Sequence, residues 1–119
     1  MATPEAGALQ SFKAEFFKAL AHPVRIHILE VLRGSEKSVQ ELQQALELDQ
    51  STVSQQLAVM RAKNIVRARK EGTTVRYTAV DPLVGDLLDV ARRIFNKQLT
   101  GSQTLLRELT RETRRQARR

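Results

Sequence analysis

Along the first half of the chain, apolar residues recur at the spacing of helices. Leu9, Phe12, Phe16, Phe17 and Leu20 share one helical stripe. Pro23 interrupts it, because the residue before a proline is driven away from helical dihedrals. A second helix is predicted to open with Pro23 in its first turn and to carry Val24, Ile28, Leu29, Val31 and Leu32 as far as Gly34. Ile26 adds an apolar group on its far side, which predicts a central helix or one covered by a partner chain. Ser38 is placed to cap a third helix bearing Val39, Leu42 and Leu46. Asp49 is placed to cap a fourth, with Val53, Leu57 and Met60 on one face and Leu48 filling the angle between the two helices. Asn64 stands where a helix-ending residue in the left-handed conformation is expected.

The period then changes. Val66-Arg67-Ala68-Arg69-Lys70 and Val75-Arg76-Tyr77-Thr78-Ala79 alternate as strands do, and Glu71-Gly72-Thr73-Thr74 between them predicts the turn of a β-hairpin. Asp81-Pro82 predicts the start of a long helix whose apolar positions include Leu83, Val84, Leu87, Leu88, Val90, Ala91, Ile94, Phe95 and Leu99. Gly101-Ser102 either breaks this helix before Leu105, Leu106 and Leu109 or lies within it. The reading is a mainly α chain with a small β-hairpin, in the order α-α-α-α-β-β-α. Residues 1–8 form a flexible N-terminus, 9–100 one folded domain and 101–119 a basic extension.

Charge adds a partner to this picture. The chain carries a net +7, and the excess is concentrated in two blocks. Between 61 and 76, Arg61, Lys63, Arg67, Arg69, Lys70 and Arg76 face Glu71 alone; between 107 and 119, six arginines face Glu108 and Glu112. Two such blocks on a near-neutral body point to a polyanion. On the fourth helix, the side opposite Val53 and Leu57 presents Ser51, Thr52, Gln55, Ala58 and Ala62, with Gln56 and Val59 on a flank. Small and amide side chains without acids can approach base edges closely, and glutamine matches the donor and acceptor of adenine in the major groove. The candidate contacts to double-stranded DNA are therefore Gln50, Ser51, Thr52, Ser54, Gln55, Gln56 and Arg61 on the helix. In the hairpin they are Arg69, Lys70, Thr73, Thr74 and Arg76. The first-turn hydroxyls suit phosphate oxygens.

The stretches "FKALAHPVRIHILEVL", "SVQELQQALELDQSTVSQQLAVMRAKNIV" and "RARKEGTTVRYTAV" resemble the ArsR/SmtB family of transcriptional regulators across roughly residues 12–95. The resemblance implies a winged helix-turn-helix that binds an imperfect palindrome near a promoter, by default as a repressor. It also implies a homodimer through the first and last helices, with Leu9, Phe12, Phe16, Leu87, Leu88, Ala91, Ile94 and Phe95 at the interface. Many members of the family sense metals, and here the chain departs from them. The family's Cys-x-Cys at the third helix corresponds to Ser38-Val39-Gln40, and its last-helix Asp and His site to a helix with Asp81, Asp86 and Asp89 but no histidine.

No cofactor is required by this reading. The chain has no cysteine and only two histidines, His22 and His27. On one helix those two lie about 140° apart and do not easily close on one ion. His27 with Glu30 is better spaced; with His22 these are the candidate ligands for a nickel or zinc effector. The structural alternative makes His22 a helix cap and His27 a flank residue. Without a Gly-rich phosphate loop, a thiol or a Ser-His-Asp arrangement, the chain is not expected to be an enzyme. A protein-interaction module built on the same fold is the competing function, and an accessory sensor protein the competing source of signal. No apolar run is long enough to span a membrane and no signal layout opens the chain, so the expected location is the cytoplasm, with no membrane partner.

Overall fold

A computed structural model describes the backbone of residues 4–99 and 103–117 and the side chains of 7–99 and 104–117. Helix α1 runs over Pro4–Leu20, α2 over Pro23–Leu32, α3 over Val39–Leu46 and α4 over Gln50–Ala62. Strand β1 is Lys37–Ser38, β2 is Val66–Glu71 and β3 is Thr74–Ala79; helices α5 (Leu83–Gln98) and α6 (Gln103–Ala117) follow. The predicted order is thus extended to α-α-β-α-α-β-β-α-α. The added strand is two residues long, too short to show a period, and Ser38 belongs to it while also capping α3.

Helix α1 starts earlier than its apolar stripe. Pro4 is pre-organised for a first helical position, and the alanines after it form helix without marking a face. Part of the segment expected to fray is therefore helical. Masses of apolar side chain are not what ends these helices; local chemistry is. The His22 imidazole accepts from the Val24 amide at 3.1 Å and caps α2. Ser38 and Glu41 form a reciprocal capping box on α3, with Glu41 N–H donating to Ser38 Oγ at 3.2 Å and Ser38 N–H donating to Glu41 Oε1 at 3.0 Å. Asn64 takes the left-handed conformation (φ 60°) as expected, and Glu47 does so at the end of α3 (φ 56°), where no glycine signals it.

Elements α1 to β3 form one compact unit, and α5 with α6 a second. In the first, α2, α3 and α4 pack on one another and on an antiparallel sheet of order β1-β3-β2. Ile28, Leu29, Leu32, Leu42, Val53, Leu57, Met60 and Val66 are almost wholly buried and make its core. Burial of apolar surface at about 25 cal/mol per Å² is the stabilisation these residues contribute to the unit. Hairpin register pairs Arg69 with Arg76 and Glu71 with Thr74, leaving Gly72-Thr73 as a two-residue turn with Gly72 at φ 62°. In the second unit α5 contacts α6, and Asp89 on α5 accepts from both Arg92 and Arg93. Helix α6 is separate from α5, and residues 100–102 between them lie outside the described residues. Among the described residues no helix is long and apolar enough to cross a membrane.

Candidate nucleic-acid interface

Helix α4 is held from beneath by Val53, Leu57 and Met60, each no more than 1% exposed. That anchoring fixes the opposite face outward, where Gln50, Ser51, Gln55, Ala58, Arg61 and Ala62 are exposed and Thr52 and Ser54 half-buried. The face carries no carboxylate and no bulky apolar group, which is what a close approach to base edges requires.

Three of the sequence-predicted contacts on this helix have other partners. Gln56 Oε1 accepts from Arg25 Nε at 2.8 Å, while Arg25 Nη1 donates to the Ala19 carbonyl at 3.1 Å. Arg25 thereby ties α4 to the C-terminal end of α1, and Gln56 is a positioning residue. The hydroxyls of Ser51 and Thr52 both donate to the Asp49 carboxylate, which also accepts from the Thr52 amide at 3.4 Å. These donors hold the Asp49 carboxyl down at about 2, the Ser51 hydroxyl contributing most. Gln50, at the first position of the helix, and Gln55, in its middle, remain the exposed amides.

The wing, β2 and β3 with their turn, is arranged differently. Arg69 grips Glu36 with two donors, Nε to Oε2 at 3.1 Å and Nη2 to Oε1 at 2.5 Å, and reaches Glu71 Oε2 at 2.7 Å. Arg76 donates to Glu36 Oε1 at 3.1 Å, to the Glu36 carbonyl at 3.4 Å and to Glu41 Oε1 at 3.1 Å. Bonding to Arg69 first, then to Arg76, keeps the Glu36 carboxyl below its ordinary range; for Glu41 the first cause is the Ser38 amide. The free chain therefore presents Arg69 and Arg76 already paired, with Glu36 and Glu41 recruited from outside the basic block. Among the described residues Arg61, Lys63, Arg67 and Lys70 are exposed and stand in no ion pair, and Thr73 and Thr74 are exposed at the turn.

Sequence reasoning missed Glu36, Glu41 and Arg25. Their partners lie 31 to 40 residues away, and nothing in the local pattern signals such pairs. The candidate metal ligands fare as follows: His22 spends Nδ1 on its cap, His27 and Glu30 are half-buried on α2, and no metal-holding group of three imidazoles or carboxylates occurs among the described residues. The predicted interface residues divide. Leu9, Phe12, Phe16, Ile94 and Phe95 are exposed, Phe12 by 75%, whereas Leu87, Leu88 and Ala91 are half-buried. Phe17, edge-on to Phe16 at 5.6 Å, is exposed as well.

Known proteins share this arrangement. A family model described as bacterial regulatory protein, arsR family, matches residues 22–68. The HTH-type transcriptional regulator Rv0081 of Mycobacterium tuberculosis is 42% identical over 106 residues, 88% of this chain and 93% of the relative. Its crystal structure has a TM-score of 0.69 at 44% identity, across 78% of this chain and 94% of that one. The transcriptional activator HlyU of Vibrio cholerae is 41% identical over 78 residues, 66% of this chain and 72% of the activator. The transcriptional repressor BigR from Xylella fastidiosa has a TM-score of 0.69 at 32% identity, across 80% of this chain and 97% of that one. A helix-turn-helix with an acid-free outward face, a basic wing and these relatives lead to one conclusion: the chain belongs to the arsR family of bacterial regulatory proteins, DNA-binding transcriptional regulators and not enzymes.

Proposed function

We propose that the chain is a repressor that binds a palindromic operator as a homodimer. The observation that carries this is the outward face of α4, where Gln55 stands exposed among small side chains on a helix anchored by Leu57 and Met60. Two copies related by a two-fold axis would set two such helices into successive major grooves, about 10–10.5 base pairs apart or a multiple of that. Exposed Leu9, Phe12 and Phe16 on α1, and Ile94 and Phe95 on α5, supply apolar surface for the second copy. Repression needs only that the dimer occupy the promoter, as BigR's role is named, whereas activation of the kind named for HlyU needs a further contact with the transcription machinery.

Gln55 reads a base. Lys70, Thr73 and Thr74 at the wing, with Arg61 at the end of α4, meet phosphates. The arginines of α6 add sequence-independent affinity. Ser38-Val39-Gln40 stands where the family carries its Cys-x-Cys, so the signal is carried by a metal effector at other residues or, alternatively, by an accessory sensor protein acting on the dimer. A Ni(II) or Zn(II) effector held by His27 and Glu30 would need ligands from the second copy as well. Titration of wild type and His27→Ala with each metal separates the two, identical isotherms excluding His27 as a ligand.

The direct test is footprinting of the purified chain on its own promoter, with a transcription assay from the same fragment. Two protected half-sites and reduced transcript are expected. No protection at any concentration overturns the reading, and increased transcript reverses its sign. Sedimentation of Phe12→Glu should show monomer, and a wild-type monomer would overturn the dimer.

A further inference from the structure

We propose that Glu36 is an intramolecular stand-in for DNA phosphate: it occupies Arg69 in the free protein and so suppresses binding to sequences that are not operator. The inference rests on the wing lying against DNA. Glu36 presents both carboxylate oxygens to the Nε and Nη2 edge of Arg69, at 3.1 and 2.5 Å. A phosphate uses that same fork, so carboxylate and phosphate compete for one set of donors. The pair is placed to exchange. Arg69 is 54% exposed and Glu36 29%, in contrast to a buried pair whose opening would be costly.

Nor does the wing need this pair to keep its position. Arg76, 28% exposed, shares Glu36 Oε1 with Arg69 at 3.1 Å, and it also joins β3 to the Glu36 carbonyl and to the Glu41 carboxylate of the capping box, two contacts that do not use the Glu36 side chain. Main-chain pairing of β3 with β1 (Ser38 to Arg76) holds the same junction. Arg69 is thus surplus to the latch; its Nη2 also reaches Glu71 Oε2 at 2.7 Å, a pair 54% and 60% exposed that a phosphate displaces as readily. Lys70, on the opposite face of β2, stands in no ion pair and serves as the built-in contrast.

On a random sequence, where α4 makes no base contacts, Arg69 stays with Glu36 and the wing contributes one cation fewer. On operator, docking of α4 brings the wing onto the backbone and phosphate displaces the carboxylate. Glu36 therefore lowers non-specific affinity more than specific affinity, which raises the ratio that matters in a genome full of competing sites. It acts through Arg69 and is a positioning residue.

The test is a double-mutant cycle on a short random-sequence duplex, read by fluorescence anisotropy through a KCl series, with wild type, E36Q, R69Q and E36Q/R69Q. Glutamine keeps a hydrogen-bond acceptor, so the E36Q fold survives; thermal melts of all four verify it. E36Q should bind the duplex about 3- to 10-fold more tightly, with a salt slope steeper by about 0.9, the value of one added phosphate contact. R69Q should change wild type by less than about 2-fold but abolish the gain in E36Q. Equal effects of R69Q in both backgrounds, or no gain in E36Q, overturn the proposal. Lys70→Gln distinguishes the layers. If it weakens binding while the cycle is additive, the gate fails and the wing contact stands; if it is also silent, both fail.

Discussion

Helix α4 and the wing are both proposed to meet DNA, yet they are prepared for it in opposite ways. Helix α4 is fixed by apolar contacts on its hidden side, so the chemistry on its exposed side is left unspent at Gln55. The wing has little apolar support beyond Val66, and part of its charge is consumed in positioning it: Arg76 ties β3 to Glu36 and Glu41, and Arg69 rests on Glu36 and Glu71. A cation counted from sequence is therefore not a cation available to a ligand. In the wing the basic residues that stand in no ion pair, among those described, are Arg67 and Lys70.

The largest effect comes from breaking what supports the helix. Leu57 is 1% exposed beneath α4, and Leu57→Ala should cost about 2–5 kcal/mol of stability through the cavity it leaves. Denaturant melts measure that loss; because the core is shared, specific and non-specific DNA binding should fall together. Next is Gln55→Ala, which leaves the fold intact. It should weaken operator binding by about 1–3 kcal/mol while leaving a random duplex unaffected. Equal loss on both duplexes would show that α4 supplies position and not readout, and the contrast between the two regions would disappear.

Arg76→Ala sharpens the contrast from the other side. As a free cation, Arg76 would on removal weaken all DNA binding and flatten its salt dependence. As a latch, its removal should cost about 1 kcal/mol of stability, with the salt slope nearly unchanged. The 28% exposure of Arg76 keeps the figure modest, because water partly screens its pairs. Anisotropy through a salt series beside a melt separates the two behaviours.

How far each region was legible in sequence follows from the same physics. The α4 face needed only period 3.6 and two local caps, Asp49 and Asn64, so its buried set of Val53, Leu57 and Met60 matches expectation residue for residue. His22 as the α2 cap was likewise a matter of two residues, His22 and Val24. The hairpin and its turn were equally local. What sequence could not disclose was long-range pairing: strand β1, whose partner is β3, the Arg25–Gln56 tie, and the Glu36 and Glu41 carboxylates against the wing. Charge blocks average over neighbours in sequence, while ion pairs are set by neighbours in space.

The smallest predicted effect tests whether the start of α4 is as settled as its middle. Asp49 takes the hydroxyls of Ser51 and Thr52 and the Thr52 amide, and these donors depress its carboxyl from an ordinary value near 3.8 to about 2. Because the folded value lies below the unfolded one, the unfolded chain binds this proton first on acidification. The stabilisation from Asp49 is complete above about pH 4 and is lost as pH falls through about 2. The group is exposed, so the loss should be slight, read as a lower midpoint in urea melts between pH 4 and pH 2. Asp49→Asn keeps an acceptor for the cap but cannot titrate, and should remove this part of the acid dependence while leaving neutral-pH stability nearly unchanged. If Asp49→Asn and wild type lose stability in parallel over that interval, the cap is not what orders Ser51 and Thr52. Their hydroxyls would then be as free for phosphate as Gln55 is for a base.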